Sequence, residues 1–369
     1  MRYVMTNQEY KEILNNIIVP NILSFEEKNK LYQPINDFLN SETPEKLYRF
    51  RSCIERHISA FDRDELPFSP GYKMNDDFDG LLYFDKERIR AEFKTAKENN
   101  LIRDALYNLK QGANIPVSLQ NNMPPQVLSA ILASAAQLDQ KTIDSRIDML
   151  YNYIISHFDE ELSGISHLIQ NLRIASFSET IGSSAMWGYY ADDGKGFALS
   201  YDFRYGNYTV CNSCATNQQC QNANNCYLLP IIYGDNRFDA TQYAIWAFQQ
   251  SIIRRILINS NAYPMYDVLS SVIPCPDEFM PTKALIHKAT AWSHEKEWRL
   301  VFTCNSPEIN QQEHPCPKKR PSAVYLGRNI SAFNEKILRH IAVEKGIPVY
   351  KMVIHENDST YKLHPEMIG

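Results

Sequence analysis

Residues 172–202 read LRIASFSETIGSSAMWGYYADDGKGFALSYD, and their pattern indicates the class of fold. The first residues of this stretch have strand composition, and Ser183 or Ser184 can cap a short helix that continues through Tyr190. Residues 196–202 then alternate as a second strand. Outside residues 172–202, strand-like segments come early and late in the chain, and helical segments are inserted between them. This order predicts an α+β fold.

Composition narrows the class of protein. The chain has 369 residues, of which 44% are hydrophobic and 12% aromatic, so it is a packed globular protein. Its 38 basic and 43 acidic residues give a net charge of -5, which argues against a non-specific grip on a phosphate backbone. It lacks an apolar run of the roughly 18 residues that span a bilayer. We therefore expect a cytoplasmic protein that has no membrane partner; its oligomeric state is left open.

The segments divide the chain into four parts. Residues 1–46 are a helical lead-in, 47–85 the first part of the α+β core, 86–170 a large helical insertion, and 171–369 the remainder of the core with a cysteine-rich insert at 207–227. In that remainder we expect strands at 228–233, 298–302, 323–327 and 348–354, and helices at 240–259, 280–288 and 331–345. Among the 13 glycines there is no Gly-rich phosphate or dinucleotide motif.

Polar side chains of functional types crowd into three places, residues 48–51, 177–197 and 294–299. If residues 295–302 form a strand, Glu295 and Glu297 point to the same face, because side chains two apart share a face. Two interpretations stay open for this pair, an exposed charged strand face or a functional carboxylate pair. Arg49 and Arg51 are likewise either surface ion pairs or ligands for an anion.

Four motifs carry a resemblance. They are LYRFRS at 47–52, a loop of the form FSxP…ND at 68–76, FSE…MWxxYAD…GFxxxYD from 177 to 202, and KxxxWxxExEWR at 288–299. The loop departs slightly, since Pro70 follows Ser69 directly. Together these segments resemble the signature of a bacterial family of unknown function. The likeness covers about residues 47–85 and 174 to the end of the chain.

The same order of elements resembles, more distantly, the ADP-ribosyltransferase superfamily. That likeness implies a central antiparallel or mixed sheet with the helical segment as an insertion. It also implies NAD as a substrate and assigns roles to residues on three strands. The residues that it places at the dinucleotide are Arg49, Tyr48, Ser178 and Tyr190. Glu297 would act at the ribose, and Glu295 would orient the acceptor.

The chemistry of these residues agrees with that resemblance. Cleavage of the nicotinamide glycosidic bond passes through an oxocarbenium-like state, which a carboxylate stabilises electrostatically. The resemblance implies ADP-ribosyl transfer to a macromolecule, either nucleic acid or protein, in a toxin or phage-defence setting. Two alternatives stay open, a non-catalytic module that binds a partner or nucleic acid, and an NAD glycohydrolase.

A cysteine cluster stands apart from these motifs. Cys211, Cys214, Cys220 and Cys226 lie within sixteen residues, in a polar segment that cannot form a core of its own. A structural zinc ion held by the four thiolates would order such a knuckle. Two disulfides, or thiols without a ligand, are the other interpretations.

Overall fold

The computed structural model describes residues 7–20, 23–71, 74, 76–111, 126, 129, 139–166, 172–204, 209–211, 223–258, 273–303 and 318–369. Helices and one large mixed sheet make up this part of the chain, which confirms the α+β class. The strands, in chain order, are β1 Leu47–Arg51, β2 Ser69–Pro70, β3 Leu172–Ser178, β4 Phe197–Tyr201, β5 Thr209–Cys211, β6 Ala223–Asn225, β7 Tyr227–Pro230, β8 Ile232–Gly234, β9 His287–Ala289, β10 Glu297–Thr303, β11 Ala323–Leu326, β12 Val349–Val353 and β13 His364–Met367.

Eight strands of the large sheet follow the order β13-β12-β11-β4-β1-β3-β10-β7, and β2 pairs with β3 beside them. Strands β11 and β12 run parallel, and the other described pairs in this sheet are antiparallel. Two small two-stranded sheets, β5-β6 and β8-β9, complete the pairing. Strands β1 and β10 therefore belong to one sheet and are separated by a single strand, β3.

The α-helices have the bounds Asn7–Asn16, Phe25–Glu42, Glu55–Asp62, Lys86–Glu98, Leu101–Lys110, Gln140–Ser156, Phe158–Ser166, Ser184–Tyr190, Thr241–Ile258, Met280–Leu285 and Ala332–Lys345. Side-chain caps explain where several of them begin. Ser183 accepts from the amide of Met186, and Ser331 accepts from the amide of Asn334. The described helices between residues 86 and 166 bury a cluster with helix Thr241–Ile258, whereas helix Ala332–Lys345 packs on the sheet.

Three expected elements differ from the observed ones. Residues 228–233 form two strands in different sheets, because Ile231 donates to the Glu297 carbonyl at 2.9 Å and Ile232 donates to the Ile286 carbonyl at 2.7 Å. The helix expected over 280–288 ends at Leu285, and its last residues join β9. The strand expected over 298–302 is one residue longer at each end, Glu297–Thr303, and it leaves Glu295 outside the strand.

The large sheet opens beside β3. Strand β1 meets β3 at one registered pair, Tyr48 with Ser178, while β2 meets it further back, where Ser69 faces Ile174. The edge of β3 between these two contacts is left without a strand partner in the described sheet. This opening places side chains of β1 and β3 around a cleft. No described helix is long and apolar enough to cross a membrane.

Candidate functional site

The cleft has a volume of about 510 Å³, within the usual range for small-molecule sites. Its walls come from β1, β3, the helix Glu55–Asp62 and the turn that precedes β10. All six residues that the sequence assigned to catalysis or to the dinucleotide line it, namely Tyr48, Arg49, Ser178, Tyr190, Glu295 and Glu297. Residues that lie far apart in the sequence therefore share one cavity.

The two glutamates meet by a different route from the one expected. Glu295 ends a 3-10 helix, Thr290–Glu295, and Lys296 adopts a left-handed backbone conformation with φ of 44° before β10 begins at Glu297. The alternation rule of a strand therefore does not apply to Glu295. The carboxylates nevertheless converge, because the reversed backbone at Lys296 turns both side chains toward Lys288. The interpretation of Glu295, Glu297 and Arg299 as an exposed face is wrong, since all three are buried.

The carboxylates belong to a buried network of charges. The Lys288 ammonium lies 2.5 Å from Glu295 Oε2 and 3.2 Å from Glu297 Oε2. The Arg299 guanidinium donates to Glu297 Oε1 at 2.8 Å and holds Asp79 through both its oxygens, at 2.7 and 2.5 Å. With every group ionised, three carboxylates face two cations. The network then carries one surplus negative charge at the edge of the cleft.

Burial and neighbouring charges separate the pKa values of the two glutamates. Burial alone would raise the pKa of Glu297, but the attraction of Arg299 and Lys288 outweighs it and lowers that pKa to about 2. For Glu295, burial and the repulsion of Glu297 together raise the pKa, against the attraction of Lys288. Glu297 is thus ionised near pH 7, and Glu295 is the member of the pair that takes up a proton more readily.

Hydrogen bonds hold these carboxylates in place. Tyr190 donates its hydroxyl to Glu295 Oε1 at 2.5 Å. Ser178 is buried and donates its hydroxyl to the Glu295 carbonyl at 2.6 Å, so that it fixes the backbone of the turn. The Glu297 amide donates to the Tyr233 hydroxyl at 2.9 Å. Position and orientation of the carboxylate pair are therefore set before any ligand arrives.

The opposite wall is cationic. Arg49, Arg51 and Arg56 line it, next to His57. Arg49 is buried, with its guanidinium 5.7 Å from the centre of the Phe177 ring, which excludes the interpretation of that residue as a surface ion pair. Burial, and then the charge of Arg51, lower the pKa of His57 to about 4, so this ring is neutral near pH 7. Burial, and then the charge of Arg49, also lower the pKa of Arg51.

This crowding of positive charge favours an anionic ligand. Among the described residues, no carboxylate forms an ion pair with Arg51, whose guanidinium donates to the Phe50 carbonyl at 3.2 Å. Guanidinium groups bind phosphate through paired donors, so a phosphate in this part of the cleft would relieve the repulsion between the arginines.

Two further side chains of the motifs, Trp187 and Asp76, have structural roles. Trp187 is buried and donates its ring nitrogen to the Ile181 carbonyl at 2.7 Å, as expected for a packing residue. His294 is exposed at the surface. Asp76 accepts from the amide of Phe78 at 2.9 Å, a turn contact.

Sequence reasoning missed Asp79 and Lys288, the two side chains that tie the network together. Lys288 is the first residue of the KxxxWxxExEWR motif, and that position was its one signal in the sequence. Asp79 carried no comparable signal, because it lies 220 residues before its partner Arg299.

The cysteine cluster lies largely outside the described residues. Cys214 and Cys220 are not among them, nothing is described of the Cys211 side chain, and Cys226 is a half-buried thiol whose pKa is raised by burial to about 12. Among the described residues no group of three or more His, Cys, Asp and Glu side chains is arranged to hold a metal ion. The zinc knuckle stays a prediction.

Comparison with protein families gives a match over part of the chain. A family model described as "Protein of unknown function (DUF2971)" matches residues 186–300. That interval contains Tyr190 and the whole KxxxWxxExEWR motif, whereas β1 lies outside it. The expected likeness to a family of unknown function is thus confirmed for this interval. No curated protein and no solved structure matches the chain.

Proposed function

We propose that this protein transfers ADP-ribose from NAD to a macromolecule. The observation that carries the proposal is the placement of Arg49, Ser178 and Glu297 on the three neighbouring strands β1, β3 and β10, around one cleft. Tyr48 and Ser178 are registered partners, and so are Glu297 and Ser178. The order of an arginine strand, a serine strand and a glutamate strand is the one that the sequence resemblance implies.

The two walls of the cleft suit two differently charged parts of NAD, the anionic pyrophosphate and the cationic nicotinamide with its ribose. The pyrophosphate would lie along the wall of Arg49, Arg51 and Arg56, where guanidinium groups offer paired donors. The nicotinamide and its ribose would lie at the carboxylate wall, where Tyr190 offers a ring for stacking. Tyr48, which is in edge contact with Tyr325 at 5.3 Å, would border the ligand on the β1 side.

The reaction then uses the separation of the two pKa values. As the bond between the ribose C1′ and the nicotinamide nitrogen breaks, the bonding electrons leave with nicotinamide and positive charge develops on the sugar. Glu297 stays ionised and would stabilise that charge, helped by the surplus negative charge of the buried network. Glu295 has the raised pKa and would accept the proton that the incoming acceptor loses.

Nicotinamide release from labelled NAD tests the proposal. Glu297→Gln is expected to slow release by about 10²- to 10³-fold, the effect of removing one preorganised electrostatic contact. Glu356→Gln, an exposed carboxylate outside the cleft, is the matched control and should release nicotinamide at the wild-type rate. Circular dichroism of both variants checks that the fold is kept.

A second variant changes a residue outside the buried network of charges and so tests the site independently of that network. Arg51→Gln is expected to raise the dissociation constant for NAD about tenfold or more, through the loss of charged hydrogen bonds to phosphate. Absence of NAD binding and of nicotinamide release in the wild-type protein, with every acceptor mixture, would overturn the proposal. Free ADP-ribose as the sole product would show that the protein hydrolyses NAD and does not transfer ADP-ribose to an acceptor.

A further inference from the structure

Three aromatic rings, of which that of Tyr189 lines the cleft, take no part in the proposed NAD site. The rings of Tyr189, Trp292 and His294 form a triangle with centroid separations of 6.1, 6.2 and 6.0 Å. Tyr189 is 68% exposed, although the same helix buries Met186 and Trp187. A lone exposed ring would need no explanation, but a cluster of three rings beside a cleft is a candidate interaction site.

The triangle is fixed in orientation. The Tyr189 and Trp292 rings are inclined by 62°, and the Lys288 ammonium lies 5.0 Å from the centre of the Trp292 ring. These edge and cation contacts hold the rings from behind. The Tyr189 ring is tilted against both neighbours and is 68% exposed, so it is accessible to a planar partner.

The triangle is continuous with the carboxylate wall. Tyr189 lines the cleft beside Tyr190, and Trp292 and His294 belong to the 3-10 helix that ends at Glu295. A planar group stacked there would lie next to the glutamate that we propose accepts the acceptor's proton. A group stacked on the Tyr189–Trp292–His294 triangle would thus occupy the position of the molecule that accepts ADP-ribose.

Charge around the cleft indicates the class of that acceptor. Five cationic side chains and three carboxylates line the cleft, in a chain whose net charge is -5. The cations are Arg49, Arg51, Arg56, Arg63 and Lys288. In a protein whose net charge is negative, a local excess of positive charge attracts a polyanion to that site, whereas the rest of the surface does not. Aromatic faces beside cations are the combination by which proteins bind single-stranded nucleic acid.

We propose that the Tyr189–Trp292–His294 triangle stacks an unpaired base of a single-stranded nucleic acid, and that this strand is the acceptor. The second half of this statement rests on the proposed function. In the transfer, a nucleophilic atom of the nucleotide forms the new bond to C1′ and nicotinamide leaves as a neutral molecule with the bonding electrons. The proton of the attacking atom passes to Glu295.

Binding is measured without NAD, by fluorescence anisotropy of end-labelled single-stranded DNA and RNA of about 12 nucleotides and of the matching duplex. We expect single strands to bind more tightly than the duplex, with an affinity that falls as salt rises. Tyr189→Ala should weaken binding about 5- to 150-fold, the range of one base–aromatic stack. Tyr189→Phe should bind as the wild type does.

Phe333→Ala is the matched control, since Phe333 is 73% exposed on helix Ala332–Lys345 outside the cleft. It should leave oligonucleotide binding unchanged. Equal affinity of wild type and Tyr189→Ala, or no preference for a single strand, would overturn the stacking site.

Product analysis separates this inference from the proposed function. If NAD turns over and labels proteins but not oligonucleotides, the acceptor assignment is wrong and the NAD chemistry stands. If oligonucleotides bind in a Tyr189-dependent way and NAD is not consumed, the NAD chemistry is wrong and the stacking site stands. Labelled oligonucleotide together with Tyr189-dependent binding supports both.

Discussion

Removing Asp79 is expected to destabilise the protein more than the loss of any exposed ion pair. The Asp79 side chain and the Arg299 side chain are both fully buried, and they are joined by two hydrogen bonds of 2.7 and 2.5 Å. Breaking a buried pair by removing one partner costs about 3–5 kcal/mol, because the other charge is left in a medium of low dielectric. Arg299 keeps its contact with Glu297 at 2.8 Å, so Asp79→Ala should lie at the lower end of this range, about 3 kcal/mol, and Asp79→Asn, which keeps one oxygen acceptor, should cost less.

Urea unfolding followed by circular dichroism measures this change. Asp159→Asn is the control, because the Lys86–Asp159 pair has a similar length, 2.7 Å, but is exposed on both sides, and its loss should change the midpoint little. The double variant Asp79→Ala with Arg299→Met should lose less stability than the sum of the two single variants. A loss below about 1 kcal/mol for Asp79→Ala would refute the reasoning that the network depends on this contact.

Three further predictions concern pH, packing and metal. The pKa of Glu297 in the folded protein, about 2, is below its ordinary value of 4.5. The stability that the ionised Glu297 contributes is therefore present above pH 4.5 and is lost as the pH falls toward 2. The urea midpoint of Glu297→Gln should accordingly fall less than that of wild type between about pH 5 and about pH 3. Gly196→Ala should cost about 1–3 kcal/mol in urea unfolding, because a Cβ there would lie 2.2 Å from the Arg51 carbonyl, whereas Gly188→Ala, with nothing within 4 Å, should cost nothing. Protein purified without added metal should carry about one zinc equivalent at Cys211, Cys214, Cys220 and Cys226, and metal analysis that finds less than about half an equivalent would exclude the knuckle.

The elements that the sequence predicted well are those with a strong local signal. The alternation of residues 196–202 predicted the strand Phe197–Tyr201, and the serine cap at Ser183 predicted the helix that ends at Tyr190. The missed features are long-range. Whether residues 228–233 form one strand or two is decided by carbonyls of Glu297 and Ile286, which no local pattern reveals.

The candidate site shows the same division. Its residue types were predicted through motif resemblance, but their burial was not, because a run of alternating charges on a strand is ordinarily exposed. What reverses that expectation at Glu297 and Arg299 is a partner from another part of the chain, Asp79, together with Lys288 from β9. Lys296, whose left-handed conformation breaks the strand pattern, is a non-glycine residue that gives no warning of it.

The arrangement of charges in the cleft restricts the class of ligand more than the volume of the cleft does. Three arginines on one wall repel each other and favour a ligand with negative charge at that end, while the network behind the opposite wall carries a surplus negative charge and favours a cation. A ligand that carries charge of only one sign would interact favourably with only one of these two walls. NAD combines a pyrophosphate with a cationic nicotinamide, and the positive charge moves onto the ribose as the glycosidic bond breaks. If NAD is the ligand, as we propose, the carboxylates of Glu295 and Glu297 would stabilise this charge in the ground state and, more strongly, where it develops during the reaction.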